Sequence, residues 1–451
     1  MLCWHKYTFI KVLEREANVQ DLITKLVVYR NIKKQSLIGS LAEVFEYKEN
    51  KTFANDKIVS LILDSVYNII ELGNHYGFES NLWANYLVYI LATSENPFTY
   101  AVERRDLAND TLKAFALNDF EIFVKLIHYD FSKIEQELNI NCFTLIKNYK
   151  NNLKASNQTS NVSLRIKELY EAVKDEKDVN VFCEKMLSFY KKYGVGAFGL
   201  YKAFRVSMNT KDTLLTPISG TSDMTFDKLI GYEEQKMALI KNTEAFVNEK
   251  PANNVLLYGD AGTGKSSSIK SLLNMFYDKG LRMIEVYKYD YRYLPEILSK
   301  IKNRNYRFII YLDDLSFEKN ETEYKYLKAV IEGGLEAKPE NVLIYATSNR
   351  VHLLHETFSD RREVETDDVH INDSLTEQTS LASRFGLTLG YFDVRRKEFF
   401  DMILKLAERY KELASFDKNE LIKKAELWNM YHSDYSGRSA QQFIDDLLSK
   451  I

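Results

Sequence analysis

Apolar residues recur at helical spacing through the first part of the chain. Ile58, Leu61, Ile62, Val66, Ile69 and Ile70 follow the spacing of a 3.6-residue turn, as do Leu164, Ile166, Leu169 and Val173 further on. Backbone breakers are scarce there. Of the 17 glycines only Gly39, Gly73 and Gly77 precede residue 190, and Pro97 is the only proline before Pro217. This predicts an all-helical domain over residues 1–207, interrupted by a solvated loop near Asn151–Val162. Residues 208–224 carry Pro217 and Gly220 and read as an interdomain linker.

From residue 225 the period changes. Short β-type runs at Asn254–Tyr258, Met283–Tyr287, Phe308–Leu312, Val342–Ala346 and Leu387–Phe392 alternate with helical stretches. That alternation predicts a parallel sheet with helices on its faces over residues 225–393. After it only helical pattern remains, near Arg396–Leu413, Asn419–Trp428 and Ser439–Leu448, so residues 394–451 are expected to form a small helical lid.

The β-type run Asn254–Tyr258 leads into Gly259-Asp260-Ala261-Gly262-Thr263-Gly264-Lys265-Ser266, which fits G-x-x-x-x-G-K-[ST]. Each residue type has a reason to be there. The glycines let backbone N–H groups curl around a phosphate without a Cβ in the way. A helix starting at Lys265 turns its positive end to the same anion. Lys265 then reaches the β- and γ-phosphates, and the Ser266 hydroxyl ligates Mg²⁺. The apolar helix face that follows (Ile269, Leu272, Leu273, Phe276) supplies the strand–loop–helix context the motif needs. Further along, Phe308-Ile309-Ile310-Tyr311-Leu312 reads as a buried strand that ends in Asp313-Asp314. Asp313 is expected to hold Mg²⁺ through water opposite Ser266, and Asp314 to orient the attacking water. ATP and Mg²⁺ are therefore the expected cofactors.

On these motifs, residues from about 225 to 450 resemble an AAA+ ATPase module. Asp313-Asp314-Leu315-Ser316-Phe317-Glu318 and Leu381-Ala382-Ser383-Arg384-Phe385-Gly386-Leu387 are similar in particular to a bacterial AAA+ family described only as a domain of unknown function, number 815. The resemblance implies an α/β core of a five-stranded parallel sheet with flanking helices, a C-terminal helical lid, and ATP-driven work in a ring or spiral homo-oligomer. It also implies roles. Ile230 and Gly231 correspond to the adenine-side segment, Asn349 to the polar sensor, Arg384 to the arginine finger, and Arg438 to the sensor arginine of the lid. Two features depart from the pattern. Aspartate stands at Asp314 where most AAA+ proteins have glutamate, which leaves Glu318 as a substitute for positioning water. The Tyr287–Tyr293 segment is aromatic but lacks the glycine of a substrate-gripping loop and reads as a half-buried strand end.

Composition adds bounds. The chain has 451 residues, net charge −3 and 45% hydrophobic residues, ordinary for a globular protein and without the electrostatic signature of a polyanion binder. Cys3, Cys142 and Cys183 have no metal-like spacing and read as reduced thiols, and no leader-like or membrane-length apolar run occurs, so a cytoplasmic location is expected. Gly194-Val195-Gly196-Ala197-Phe198-Gly199 matches a dinucleotide fingerprint, but helical pattern precedes it, and a hinge is the expected reading. His352 and His355 lack a third ligand, and Arg395-Arg396-Lys397 reads as a solvated helix start. Three functions are open on this basis: an ATPase that moves a macromolecular client, protein rather than nucleic acid; a nucleotide-gated scaffold or switch with very slow turnover; and a DNA-associated loader. No membrane partner is expected.

Overall fold

The computed structural model describes residues 18–32, 36–104, 110–151, 160–207, 214–317, 323–332, 338–349, 383–413, 416–432 and 435–450. Cys3, Glu318, His352, His355, Leu381 and Ala382 lie outside the described residues. The chain forms two compact units, Met1–Leu200 and Tyr201–Ile451.

The first unit is helical, with its longest helix spanning Asn55–Tyr76. That helix buries Ile58, Ile62, Val66 and Ile69, the face read from the sequence, and stops at Gly77, whose φ of 67° suits a left-handed cap. The apolar helix Leu82–Thr93 is buried on nearly every side, and its Trp83 indole donates to the Leu126 carbonyl at 2.8 Å. Asp119, fully buried, accepts the backbone N–H groups of Val27, Val28 and Tyr29, so an irregular segment is fixed to the core by one carboxylate. The Gly194–Gly199 motif ends the helix Val179–Tyr193 and opens the short helix Gly196–Leu200. A helix and not a strand leads into it, which argues against a dinucleotide loop, and it ends just before the boundary between the two units.

The second unit is built on a seven-stranded sheet, in the order β2-β1-β4-β5-β6-β3-β7. The strands are β1 (Ala203–Val206), β2 (Leu215–Ile218), β3 (Val255–Gly259), β4 (Leu281–Glu285), β5 (Arg307–Leu312), β6 (Val342–Ser348) and β7 (Leu387–Tyr391). All neighbours run parallel except β1 and β2. The five expected runs became β3 to β7. Their central members are apolar almost throughout because helices cover both faces: every residue of β6 is buried, and in β5 all but Arg307. The five-strand count is corrected by β1 and β2, which come from stretches read as the end of the helical domain and as linker. Each has four residues, too few for a visible period, and Pro217 argues against a strand. The proline is tolerated because β2 pairs only with β1 and so lies at the sheet edge.

One face of this sheet is covered by the helices Glu233–Val247 and Lys265–Phe276, which bury Leu239, Phe246, Ile269, Leu272 and Phe276 against Val255, Leu257, Ile309 and Tyr311. Each of these large apolar side chains contributes roughly 1.5–3 kcal/mol by leaving water. The loop between β3 and the helix Lys265–Phe276 is therefore anchored on both sides in this core. After β7 come the helices Arg396–Ala407, Lys418–His432 and Gly437–Leu448, which share a small core of their own around Phe399, Ile403, Leu406, Phe443 and Ile444. Arg396 at the first helix pairs with Glu426 on the second at 2.6 Å, the solvated role expected for that basic cluster. The Tyr287–Tyr293 segment is not a strand end. Lys288–Tyr293 is a 3₁₀ turn with Tyr291 buried and Tyr289 80% exposed.

Candidate functional site

At its C-terminal end β3 turns into the loop Gly259–Gly264, and the helix Lys265–Phe276 starts directly from it. Gly259 has φ 128°, and a Cβ there would stand 2.0 Å from the Tyr391 carbonyl oxygen of the adjoining β7. Gly262 has φ 80°, and a Cβ there would lie 2.8 Å from the Ser436 hydroxyl that caps the last helix. Among the described residues the N–H groups of Gly264, Lys265 and Ser266 have no protein acceptor. These orphan donors at a helix start, with the helix dipole behind them, form an anion cradle.

Lys265 is 6% exposed, and its Nζ donates to the carbonyl oxygens of Gly259 at 2.9 Å and Asp260 at 2.6 Å. Burial holds its ammonium below the ordinary lysine range, and Arg438 adds to this, against the opposing pull of Asp260, Asp314 and Asp313. Ser266 Oγ donates to Asp313 Oδ1 at 2.8 Å. The tip of β5 is thus brought to the first turn of the phosphate-loop helix, as the sequence predicts. Burial pushes the Asp313 carboxyl up, but the hydrogen bond from Thr347, the nearby Tyr311 hydroxyl and the hydrogen bond from Ser266 outweigh it, and the net shift is downward. A carboxylate kept ionised beside a hydroxyl, under an anion cradle, is the oxygen donor set a hard divalent cation takes. Ser266 and Asp313 are the residues that could hold one.

Asp314 follows with φ 53°, in the left-handed region. Three hydrogen bonds fix it there. Its N–H donates to Thr347 Oγ1 at 2.9 Å, the next amide, of Leu315, donates to the Thr347 carbonyl at 2.6 Å, and its Oδ1 accepts from Asn349 Nδ2 at 2.9 Å. The Thr347 hydroxyl in turn donates to Asp313 Oδ1 at 2.6 Å. Thr347 therefore joins the Asp313 carboxylate and the Asp314 backbone to the end of β6, and Asn349 holds the Asp314 carboxylate. The sequence reading passed over it, although Thr347-Ser348-Asn349 at the end of an apolar strand was a visible change of character.

These side chains line a cavity of about 560 Å³ that reaches from the phosphate loop to the lid. Leu229, Ile230, Met402 and Leu406 form an apolar end, and Gly437 and Arg438 close the side next to the loop. The Arg438 amide donates to the Gly262 carbonyl at 3.1 Å, which ties the last lid helix to the loop. Lys236, buried, holds the Leu229–Gly231 segment through the Leu229 carbonyl at 2.5 Å; it too escaped the sequence reading. Gly231 sits against Met402, with φ 84°. Of the expected site residues, Ile230, the loop from Ala261 to Ser266, Asp313, Asp314, Asn349 and Arg438 all face this cavity. Asp260 does not, and its Oδ2 instead accepts from the Asp393 amide at 2.8 Å. Arg384 is exposed and lies before β7, at the end of the sheet away from the loop. A second cavity, of about 800 Å³, lies in the helical unit, but the opposite charges along it already pair, as in Lys48–Glu137 and Lys125–Glu121.

The strand order, the loop and the acidic tip of β5 define a P-loop module of the AAA+ type. The chain belongs to the family described as Protein of unknown function (DUF815), whose model matches residues 200–451. No curated protein matches. Among solved structures the chain is similar to a mutant form of Thermotoga maritima RuvB, at 16% identity and a TM-score of 0.30 over 50% of this chain and 72% of that one. It is also similar to the Thermotoga maritima RuvB Holliday junction branch migration motor, at 15% identity and a TM-score of 0.28 over 50% and 72%. At such scores the likeness carries nothing about function, and the assignment of the module rests on the geometry above. Among the described residues no helix is long and apolar enough to cross a membrane.

Proposed function

We propose that the unit Tyr201–Ile451 binds ATP with Mg²⁺ and hydrolyses it, coupling nucleotide state to movement or assembly on a macromolecular client. The observation that carries this reading is the meeting of Ser266 and Asp313 at 2.8 Å beneath an orphan-amide cradle that holds a buried lysine. In this reading the loop amides and Lys265 take the β- and γ-phosphates. The cation, when bound by Ser266 and Asp313, supplies charge neutralisation between those phosphates. Asp314, held by Thr347 and Asn349, orients the attacking water. The apolar end near Ile230 and Met402 receives the base.

Arg384 has a role only if a second copy of the chain supplies it. β7 runs parallel to β3, pairing Leu387 with Val255 and Tyr391 with Gly259, so roughly 13 Å of strand separates Arg384 from its own phosphate loop. A homo-oligomer in which Arg384 faces a neighbour's cavity satisfies this geometry. The test of the whole reading is Lys265→Ala, which removes the ammonium aimed at the phosphates. Nucleotide affinity should fall and turnover should disappear. Affinity within about twofold of the unaltered protein overturns the reading.

A further inference from the structure

We propose that Lys236 and Arg409 are positioning residues for the nucleobase: from two different cores they fix three successive backbone carbonyls, Asp227 to Leu229, and so set the wall against which the base lies. The inference rests on the ATP reading above and adds to it two cations outside the phosphate-loop and acidic motifs.

That wall needs side-chain support because no long regular element supplies it. Phe226–Lys228 is a single 3₁₀ turn, and Leu229 leaves it with extended backbone. The turn's own bonds run from the Lys228 and Leu229 amides back to the Thr225 and Phe226 carbonyls. Among the described residues the carbonyls of Asp227, Lys228 and Leu229 receive no backbone donor. Cations fill the gap. Arg409 gives one guanidinium nitrogen to each of the first two, at 2.6 Å for Asp227 and 3.1 Å for Lys228. Lys236 gives its ammonium to the third at 2.5 Å, and also pairs with Glu233 at 3.1 Å. Bonds from charged donors are stronger than those between neutral groups. Lys236 is also buried, so bulk water does not compete for the Leu229 carbonyl.

The two cations belong to different bodies. Lys236 is on the helix Glu233–Val247, which packs on the sheet. Arg409 follows the lid helix Arg396–Ala407, whose Met402 and Leu406 line the apolar end of the cavity together with Leu229 and Ile230. The segment is thus strapped to the sheet core at one carbonyl and to the lid at two. Directly after the third carbonyl, the N–H and C=O of Ile230 have no protein partner among the described residues. They leave one donor and one acceptor for the edge of a base, beside a clamp that keeps them from wandering. Fixing a contact in advance removes its ordering cost from binding. The clamp therefore contributes to the nucleoside part of ATP affinity and not to the triphosphate part, which the phosphate loop carries.

The test is calorimetric binding of ATP and of inorganic tripolyphosphate, each with Mg²⁺, to the full chain. The ratio of the two affinities isolates the nucleoside contribution, which a residue that only supports the fold does not move. Lys236→Met removes the ammonium and keeps an unbranched stem. Arg409→Met removes the guanidinium at an exposed position, where folding is not at stake. Arg396→Met is the control, since it removes an exposed lid arginine that pairs with Glu426 instead. ATP affinity should fall about tenfold in Lys236→Met, and about threefold to fivefold in Arg409→Met, because Asp227 and Lys228 are exposed and water reaches their carbonyls. Tripolyphosphate affinity should stay within about twofold in both, and Arg396→Met should change neither ligand. A ratio unchanged in either variant overturns the proposal. So does an equal loss of both ligands, or an unaltered chain that binds ATP no better than tripolyphosphate. Arg409→Met decides alone if Lys236→Met fails to fold. An unaltered chain that binds neither ligand is a different result and takes down the ATP reading itself.

Discussion

Thr347→Val separates the geometry of the two carboxylates from the phosphate loop. The substitution keeps the branched side chain and removes one hydroxyl, which now donates to Asp313 Oδ1 at 2.6 Å and accepts the Asp314 amide at 2.9 Å. Thr347 is 2% exposed, so water cannot stand in for it. A hydrogen bond to a charged group contributes about 1.5–3 kcal/mol, and a buried amide left without its acceptor costs about 1–3 kcal/mol. Asp313 and Asp314 both reach solvent and recover part of this, which puts the loss near the lower end, about 2–3 kcal/mol. For a unit of this size that corresponds to a fall in melting temperature of about 4–12 °C. The effect on turnover should exceed the effect on binding. Asp314 sits at φ 53° because Thr347 and Asn349 hold it there, and a strained backbone of this kind persists only while its surroundings over-determine it. Released from Thr347, Asp314 relaxes and its carboxylate leaves the water it should orient, lowering turnover about tenfold or more, while nucleotide affinity stays within about threefold. Steady-state hydrolysis, nucleotide titration and a melting curve on one preparation measure all three. Turnover within about twofold together with unchanged melting would refute the role given to Thr347.

Three other expectations follow from the same geometry. Asp314→Asn should keep ATP binding and slow hydrolysis about 10²-fold or more, since an amide cannot take the proton of water; unchanged turnover moves the role to Glu318, and the double variant decides. Arg384→Ala should bind ATP nearly normally and lose turnover, and mixing it with Lys265→Ala should restore part of the activity through mixed interfaces. A strictly monomeric protein whose turnover is linear in concentration down to nanomolar refutes that shared site. Nucleotide affinity should also depend on pH through Lys265. Its ammonium is held below the ordinary lysine range by burial, and a bound triphosphate favours the protonated form, so affinity should be flat at low pH and fall as pH rises through the lowered lysine value. Calorimetry in buffers of different ionisation enthalpy should show proton uptake on the alkaline side, and Lys265→Arg should abolish it; a flat profile with no proton uptake contradicts the placement of Lys265.

The parts of the site that local chemistry dictates were readable in the sequence. A loop that must curl around an anion needs Gly259, Gly262 and Gly264 at fixed spacing, and a metal-bearing strand must end in a carboxylate, so both motifs announce themselves within eight residues. The inner strands β3 to β6 were equally legible, because burial on two faces forces continuous apolar runs. What stayed hidden is tertiary. Thr347 meets Asp313 across 34 positions of sequence, and Lys236 reaches Leu229 by folding back from a helix. None of these residues differs in type from an ordinary strand or helix residue. β1 and β2 escaped for another reason: four-residue strands at a sheet edge carry no period, and Pro217 masked the second.

On the proposed reading, the lid is where nucleotide chemistry would be converted into motion. Its helices share a core with Ile230 and Tyr232, so the base-side segment packs as a member of the lid. Tyr232 also stacks on Tyr391 with ring centroids 4.9 Å apart and donates to the Phe392 carbonyl at 2.6 Å, which fastens the same segment to the end of β7. On the opposite side of the cavity the Arg438 amide is bonded to Gly262 at 3.1 Å, and a Cβ on Gly262 would collide with Ser436. The lid thus grips the cavity at the base end and at the phosphate end, through contacts that close approach of the backbone makes possible. A packed three-helix core resists internal deformation. On the proposed reading, a change in the loop on nucleotide binding should reach the lid as a displacement of the whole body about these two attachments, not be absorbed within it.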